Sequence, residues 1–290
     1  MNPDEYCQTK AAPPGSTLYY SLMFLPEDRR RAATALHAFH QEVSGISDEC
    51  REVSVARIKL QWWRDEVHRM FSGEPRHPVT TSLLEATRAY SLPREQFLEI
   101  IDGVEMDLDY STYATFKDLT LYCHRVASML SLMSAEIYGY NDRQTLKHAH
   151  QLGTAMQLTR IIHSVRHDGA LGRIFIPLEE LAQFHVNAED VMAGRDTEDS
   201  RALMKYQIQR ARESYSSALE RLPETDRYRQ RSGLIMAGID TATLNEIDAD
   251  GFHVLDRRIT LTPLKKLWIA WRVERRERRR AKANGISLSA

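Results

Sequence analysis

The stretch that decides the fold runs from residue 25 to residue 43 and reads LPEDRRRAATALHAFHQEV. Its proline is followed by two acidic residues, which favour the first turn of a helix because they lie at the positive end of the helix dipole. Apolar residues then recur every three or four positions, at Ala32, Ala35, Leu36, Phe39 and Val43. This spacing places them on one side of a helix. The pattern predicts an amphipathic helix over 27–47 with its apolar side in a core.

The helical period continues along the rest of the chain. A second helix is expected over 53–71, and its apolar residues are Ile58, Leu60, Trp62, Trp63 and Val67. A loop is expected over 169–177, and further helices are expected over 79–90, 94–110, 116–138, 143–166, 198–222, 226–247 and 263–283. Thirteen Gly and ten Pro in 290 residues leave little turn chemistry for a β fold. The sequence therefore predicts a single all-α domain over 1–290.

Charge and composition exclude several classes of function. The formal net charge of −1 gives no overall attraction to nucleic acid. Three cysteines show neither paired nor zinc-binding spacing, which is typical of a reducing compartment. The first ten residues lack the apolar core of a signal peptide, and no stretch approaches the ~18 apolar residues of a spanning helix. We expect a cytoplasmic protein, at most peripheral to the inner face of a membrane.

The C-terminal segment 265–290 is expected to form a basic helix and tail. Residues 265–282 contain nine Lys or Arg against two Glu, and the apolar residues among them are Leu267, Trp268, Ile269 and Trp271. The simpler interpretation is a helix that packs by its apolar side and is solvated on the other. The alternative is a helix that lies on an anionic membrane surface.

Several short motifs occur in an order typical of one enzyme family. They are Tyr19-Tyr20, LPEDRRR (25–31), ALHAF (35–39), LQWWR (60–64), HPV (77–79), DGVEMDL (102–108), YCHRVA (122–127), QLT (157–159) and GRIFIP (172–177). Through them the chain resembles the squalene/phytoene synthase family from Asp4 to about Trp271, and most of all the bacterial presqualene diphosphate synthases of hopanoid pathways. The resemblance implies an isoprenoid-synthase-type helical bundle around a central cavity. It also implies head-to-head condensation of two farnesyl diphosphates to presqualene diphosphate or squalene.

The resemblance further implies Mg²⁺ held by aspartates on two facing helices. Hard cations on carboxylate oxygens neutralise a diphosphate leaving group. The chain departs from the family at these motifs. Where the family has Asp-Asp-x-x-Asp, this sequence has Ser44-Gly45-Ile46-Ser47-Asp48, and Gln41 replaces the preceding arginine. Where the family has Asn-x-x-Arg-Asp-x-x-Glu-Asp, residues 160–168 read RIIHSVRHD.

Two of the family's metal-binding carboxylates remain, Asp48 and Asp168. Because Mg²⁺ needs several charged oxygens, we expect these two to bind it weakly, and we expect Mg²⁺ as a cofactor only if the chain is an active transferase. No residue is assigned as catalytic, and Asp48, Asp168 and Tyr122 remain as candidates.

The predicted ligand-binding residues are mostly cationic, and they are Arg64, Gln157, Arg160, His163, His167 and Arg173. Guanidinium groups suit phosphate because they form paired hydrogen bonds with it. The expected ligand is an isoprenyl diphosphate or another anionic lipid, bound without Mg²⁺. The alternative is that these charges pair with nearby aspartates in a cavity that no longer performs the chemistry.

Three functions remain open. The first is a catalytically impaired family member that binds an isoprenoid or anionic lipid, or that assembles with a protein partner. The second is an active, Mg²⁺-dependent prenyl transferase. The third is a new metal site, because His163 and His167 have the i, i+4 spacing of helical zinc ligands. The histidines expected near the same cavity are His37, His40 and His124.

Overall fold

The computed structural model describes residues 2–50 and 52–287. Within them the chain is helical, and the extended pairing is a single parallel bridge between Thr112 and Ile174. The helices are α1 (Pro3–Ala11), α2 (Thr17–Leu22), α3 (Glu27–Ser44), α4 (Ile46–Glu49), α5 (Val53–Ser72), α6 (Pro78–Ala89), α7 (Arg94–Asp109), α8 (Phe116–Cys123), α9 (Met129–Tyr138), α10 (Gln144–Ala170), α11 (Leu178–Gln183), α12 (Ala188–Met192), α13 (Glu198–Glu220), α14 (Arg231–Ala249) and α15 (Pro263–Ala283). The prediction of an all-α fold is confirmed.

The predicted helices are present, and four of them differ from the prediction by more than a frayed end. The helix predicted over 27–47 ends at Ser44, and the separate helix α4 follows it. A π-helical turn, His124–Ser128, interrupts the helix predicted over 116–138. Helix α10 continues to Ala170, into the predicted loop, and α14 begins only at Arg231. The sequence did not predict α1, α2, α11 and α12, because helices of nine residues or fewer show too little of the helical period.

The core confirms the apolar face of α3 and corrects that of α5. All five predicted core residues of α3 are buried, and so are Leu60, Trp63 and Val67 of α5. Ile58 and Trp62 of the same helix do not lie on this buried face, since Ile58 is 69% exposed and Trp62 is 42% exposed. These two residues lie one turn apart on the side of α5 that faces away from the core.

Helix α10 passes very close to the π-helical turn. A Cβ atom at Gly153 of α10 would lie 2.6 Å from the carbonyl oxygen of Ala127 and 2.7 Å from Cα of Ser128. The crossing therefore requires glycine at this position. On the other side of the turn, the carbonyl oxygen of Val126 accepts a hydrogen bond from Nε2 of His40 at 3.0 Å. Helices α3 and α10 are thus both fixed against one irregular turn, which is a frequent feature of functional sites.

The C-terminal helix α15 packs on α14 by one side and leaves its other side exposed. Ile269 and Ala270 are buried, while Trp268 and Trp271 are 53% and 47% exposed. The helix therefore packs by one side, as in the simpler interpretation, but both tryptophans lie on its exposed side. The last three residues of the predicted tail, 288–290, lie outside the described residues. In the described part of the chain, no helix is both long enough and apolar enough to cross a membrane.

Candidate functional site

A cavity between the helices has two connected parts. The inner chamber encloses about 200 Å³ between α3, α9, α10 and α14. The polar mouth encloses about 300 Å³ and is lined by α1, α3, α4, α7, α8, α10 and the loop that follows α10. His40, Gln157 and Arg160 line both parts and mark the boundary between them. A charged opening thus leads into a more apolar interior.

The two remaining motif carboxylates both line the polar mouth, and an arginine lies within ion-pair distance of each. Asp48 lies on the short helix α4, and Asp168 lies near the end of α10. Arg173 donates a hydrogen bond to Asp48, and its Nη2 is 3.8 Å from Oδ1 of Asp168. Nη1 of Arg160 is 3.7 Å from Oδ2 of Asp168. Each carboxylate is therefore already close to a fixed positive charge.

Burial and charge shift the protonation of the groups in the mouth. Burial raises the pKa of Asp107 to about 7 and also raises the pKa of Asp168, although Arg160 and Arg173 oppose both shifts. Burial disfavours the charge of Arg160, but the surrounding Tyr122, Asp168 and Asp107 raise its pKa above the ordinary value. Nη2 of Arg160 is buried and has no hydrogen-bond partner in the described chain. Arg160 is therefore a permanent cation with unused donor capacity.

Tyr122 forms part of the wall of the mouth. Its hydroxyl donates a hydrogen bond of 3.1 Å to Oδ2 of Asp107. Its ring stacks on Phe175 with a centroid distance of 5.2 Å, and the guanidinium of Arg160 lies 5.2 Å from the same Phe175 ring. The aromatic wall therefore limits the directions in which Arg160 can move.

The inner chamber combines an apolar wall with several unpaired polar atoms. Its apolar residues include Ala127, Leu130, Leu152, Met156 and Met236. Four buried polar atoms of the chamber lack a hydrogen-bond partner in the described chain, and they are His37 Nε2, Ser134 Oγ, Tyr138 Oη and His148 Nε2. Burial lowers the pKa of His37 to about 3 and that of His40 to about 4, so both are neutral at physiological pH.

Of the six predicted ligand-binding residues, Gln157, Arg160 and Arg173 line the mouth together with Asp48, Asp168 and Tyr122. Arg64 does not lie there. It lies between α5 and α7, where Nη2 contacts Oδ1 of Asp102 and Oε2 of Glu105, each at 2.6 Å. The structure therefore does not bring Arg64 to the mouth, because two carboxylates of α7 already bind its guanidinium.

His163 and His167 are not among the residues that line the mouth with Arg160. With Arg166 and Arg258 they line a separate surface hollow. Nε2 of His163 contacts the carbonyl oxygen of Ile259 at 2.9 Å, and burial lowers the pKa of its ring. His167 reaches the edge of the mouth, with Nε2 3.9 Å from Oδ2 of Asp48. The ring of His163 is therefore held against the Ile259 carbonyl and does not line the mouth.

The histidines do not form a metal centre. His124 pairs with His150 at 2.8 Å, away from His163 and His167. Across residues 2–50 and 52–287, no three or more His, Cys, Asp or Glu side chains are grouped so that they could hold a metal ion. The third function therefore has no geometric support.

The carboxylates of the mouth do not fit Mg²⁺. This ion needs near-octahedral oxygen coordination, for which proteins supply carboxylates whose charge is available. Arg173 already binds Asp48, and both Arg160 and Arg173 lie near Asp168. A divalent cation would have to displace these guanidinium groups or bind close to them, and their positive charges would repel it.

Some residues of the site were not found from the sequence. Lys10 of α1 lines the mouth, and Ser134, Tyr138 and His148 line the chamber. The i, i+4 spacing of Ser134 and Tyr138 on α9 was an available signal, because it places two polar groups on one face of a largely apolar helix. Lys10 carried no such signal, because α1 itself was not predicted.

Comparisons with known proteins agree with this architecture. The family described as squalene/phytoene synthase matches residues 11–265. Phytoene synthase of Mycobacterium tuberculosis is 32% identical over 255 residues, which cover 87% of this chain and 84% of that protein. The 15-cis-phytoene synthase of Synechocystis sp. is 29% identical over 282 residues, covering 92% and 84%.

Solved structures show the same arrangement of helices. Squalene synthase HpnC from Alicyclobacillus acidocaldarius superposes with a TM-score of 0.74 and 25% identity, covering 86% of this chain and 94% of that one. A dehydrosqualene synthase in complex with ligand gives a TM-score of 0.84 at 21% identity, covering 96% and 97%, and supports the fold alone. The fold and cavity thus define an isoprenoid-synthase-type protein. The chain belongs to the squalene/phytoene synthase family, as the sequence predicted, and the likeness to HpnC supports the predicted relation to bacterial enzymes of the hopanoid type.

Proposed function

We propose that this chain binds an isoprenyl diphosphate, or a closely related isoprenoid anion, without Mg²⁺, and that its capacity to ionise this ligand is strongly reduced. The observation that carries the proposal is the pairing of both remaining motif carboxylates with arginine. In this arrangement Arg160 and Arg173 supply the positive charge that a metal cluster would otherwise bring to a diphosphate.

The charges of the mouth favour an anion. Its cations are Lys10, Arg160 and Arg173, and its acids are Asp48, Asp107 and Asp168. Because the pKa of Asp107 is raised to about 7, that acid is only partly ionised at neutral pH. The mouth is then slightly positive, and Arg160 has a buried donor that no described residue uses. Phosphate oxygens can accept that donor in paired geometry.

The inner chamber suits an isoprenoid chain behind the charged group. Leu130, Leu152 and Met156 provide apolar contact. A purely hydrocarbon ligand would leave the unpaired polar atoms of the chamber unsatisfied, at a cost of about 1–3 kcal/mol each. In this proposal, water molecules or a polar group of the ligand therefore enter the chamber with the isoprenoid chain and pair with these atoms.

The second candidate function is an active Mg²⁺-dependent prenyl transferase. The phytoene synthase of M. tuberculosis, which this chain matches over most of the length of both proteins, favours it. The two candidates differ in whether they need Mg²⁺. An active transferase relies on the metal to stabilise the leaving diphosphate, which is commonly worth several kcal/mol, whereas the first candidate binds its ligand without metal.

The test is titration calorimetry with farnesyl diphosphate, in Mg²⁺ or in excess EDTA, combined with an assay of diphosphate release. We expect binding of similar affinity in both buffers and a release rate at the level of the uncatalysed control. Mg²⁺-dependent release with formation of a condensed lipid product would overturn the proposal in favour of the second candidate. Binding that requires Mg²⁺ would contradict the role given to the arginines.

A further inference from the structure

Helix α15 presents one continuous outward face. We call it the outward stripe, and it consists of Leu264, Trp268, Trp271, Arg272, Arg275, Arg279 and Lys282, all of them exposed. These positions follow one another at helical spacing and therefore share one side of the helix. The stripe is apolar at its N-terminal end and basic at its C-terminal end.

The two acidic residues of α15 face the opposite way. Glu274 and Glu277 are 5% and 1% exposed, on the side that packs against the protein. Oε2 of Glu277 accepts a hydrogen bond of 3.0 Å from Arg227, which precedes α14. Turning both acids inward leaves the outward stripe with basic charge alone.

The basic residues of the stripe have no acidic partner in the described chain. Arg272 and Arg275 lie over the rings of Trp268 and Trp271, at 5.1 and 5.0 Å from the ring centroids. By contrast, four cations of α15 outside the stripe do form ion pairs with acidic residues, and they are Lys265, Arg276, Arg278 and Arg280. The positive charge is thus uncompensated where the tryptophans are exposed.

We propose that the outward stripe docks onto the surface of an anionic lipid bilayer. Tryptophan has an apolar body and a polar N–H group, which suit the boundary between headgroups and acyl chains. Arginines next to that boundary attract anionic headgroups and extend over apolar surface. The stripe carries four cations and no acid, which is the charge complement of such a surface, and Leu264 at 78% exposure adds apolar area at one end.

The test is sedimentation of the full chain with vesicles of phosphatidylcholine alone and with vesicles that also contain phosphatidylglycerol. We expect binding to the anionic vesicles that weakens with added salt, and little binding to the neutral ones. Substituting Arg275→Gln together with Arg279→Gln should weaken anionic-vesicle binding about thirtyfold. Trp268→Ser together with Trp271→Ser should weaken it at least about tenfold.

Matched controls use exposed residues on other helices. Arg143→Gln with Lys147→Gln removes two exposed cations near the start of α10, and Trp62→Ser removes a tryptophan that is 42% exposed on α5. These variants should bind vesicles like the unmodified chain. Equal losses in the control and stripe variants would overturn the proposal, and so would equal binding to neutral vesicles. Self-association that the stripe variants abolish, without vesicle binding, would instead assign the stripe to a second copy of the chain.

Discussion

Arg160 and Asp168 lie two turns apart on the cavity side of α10, and Nη1 of Arg160 is 3.7 Å from Oδ2 of Asp168. In the family pattern that the sequence resembles, the first of these positions is asparagine and the last is aspartate. Replacing a neutral side chain by a guanidinium places a fixed positive charge where a divalent cation would have to bind. A divalent cation bound to Asp168 would lie close to the guanidinium of Arg160, and two positive charges so close together in a partly buried site repel each other strongly. The same group attracts a phosphate.

The first prediction concerns Arg160 itself. We expect Arg160→Ala to weaken farnesyl diphosphate binding in EDTA about tenfold to a hundredfold, because hydrogen bonds to charged groups contribute about 1.5–3 kcal/mol. Titration calorimetry measures this change directly.

The control for Arg160→Ala is Arg166→Ala, on the same helix. Arg166 is exposed and lines the separate surface hollow with His163 rather than the mouth. We expect this variant to bind like the unmodified chain. If both variants lose affinity equally, the effect is general electrostatic attraction and Arg160 has no specific role.

The second prediction concerns recovery of metal-dependent chemistry. Substituting Ser44→Asp, Arg160→Asn and Ser164→Asp restores three polar positions of the family motifs without altering Gly45. A Cβ at Gly45 would lie 3.0 Å from the carbonyl oxygen of Gln41, so this position is left unchanged. We expect Mg²⁺-dependent diphosphate release to rise at least about a hundredfold, since each restored carboxylate provides charge for metal binding.

An uncharged version of the triple variant separates charge from shape. Ser44→Asn, Arg160→Asn and Ser164→Asn have nearly the same size but lack the two carboxylates. This variant should show no Mg²⁺-dependent release. Release by both versions would mean that removal of Arg160 alone restores activity, and no release by either would mean that more than the aspartates has been lost.

The sequence predicted the fold and part of the mouth for an identifiable physical reason. A long helix such as α3 repeats its apolar period several times, and the motif residues Asp48, Asp168 and Arg173 were identified by their order along the chain. Their convergence in one mouth follows from the family's bundle. Arg64 and His163 lie outside the mouth, and helical spacing alone does not say which neighbour a side chain faces.

The chamber was harder to predict than the mouth. His37, His148 and Tyr138 come from three different helices, and their common exposure to one space depends on how α3, α9 and α10 pack. The sequence does not indicate the π-helical turn within 116–138 either. Such a turn holds one more residue than an α-helical turn, and the residue types that form it are those of an ordinary helix.

The third prediction concerns the crossing of α10 and the π-helical turn. Gly153→Ala should lower the free energy of unfolding by about 1–3 kcal/mol, because its Cβ would collide with the backbone at Ala127 and Ser128. The control is Gly238→Ala on α14, whose nearest neighbours are methyl groups of Ile269 and Val273 at 3.3 and 3.4 Å. Side chains yield more easily than backbone, so Gly238→Ala should change stability by less. Urea denaturation measures both, and a smaller effect at Gly153 would contradict the tight crossing.

The last prediction concerns the pH dependence of stability that Asp107 produces. Burial raises the pKa of its carboxyl group from 3.8 to about 7 in the folded protein. Below pH about 4 the group is protonated in both states, and its contribution to stability is fully present. Between pH about 4 and 7 the unfolded chain releases this proton while the folded protein keeps it, so stability is lost as the pH rises.

Asp107→Asn removes this titration and retains an oxygen that can accept the hydrogen bond from Tyr122. The Tm of the variant minus that of the unmodified protein should therefore increase between pH 4 and 7 and level off above pH 7. Each kcal/mol recovered shifts Tm by about 2–4 °C for a domain of roughly this size. Asp65→Asn, on the exposed side of α5, is the control and should give a much smaller change with pH. If the Tm difference for Asp107→Asn is the same at pH 4 and pH 7, Asp107 does not hold its proton in the folded mouth.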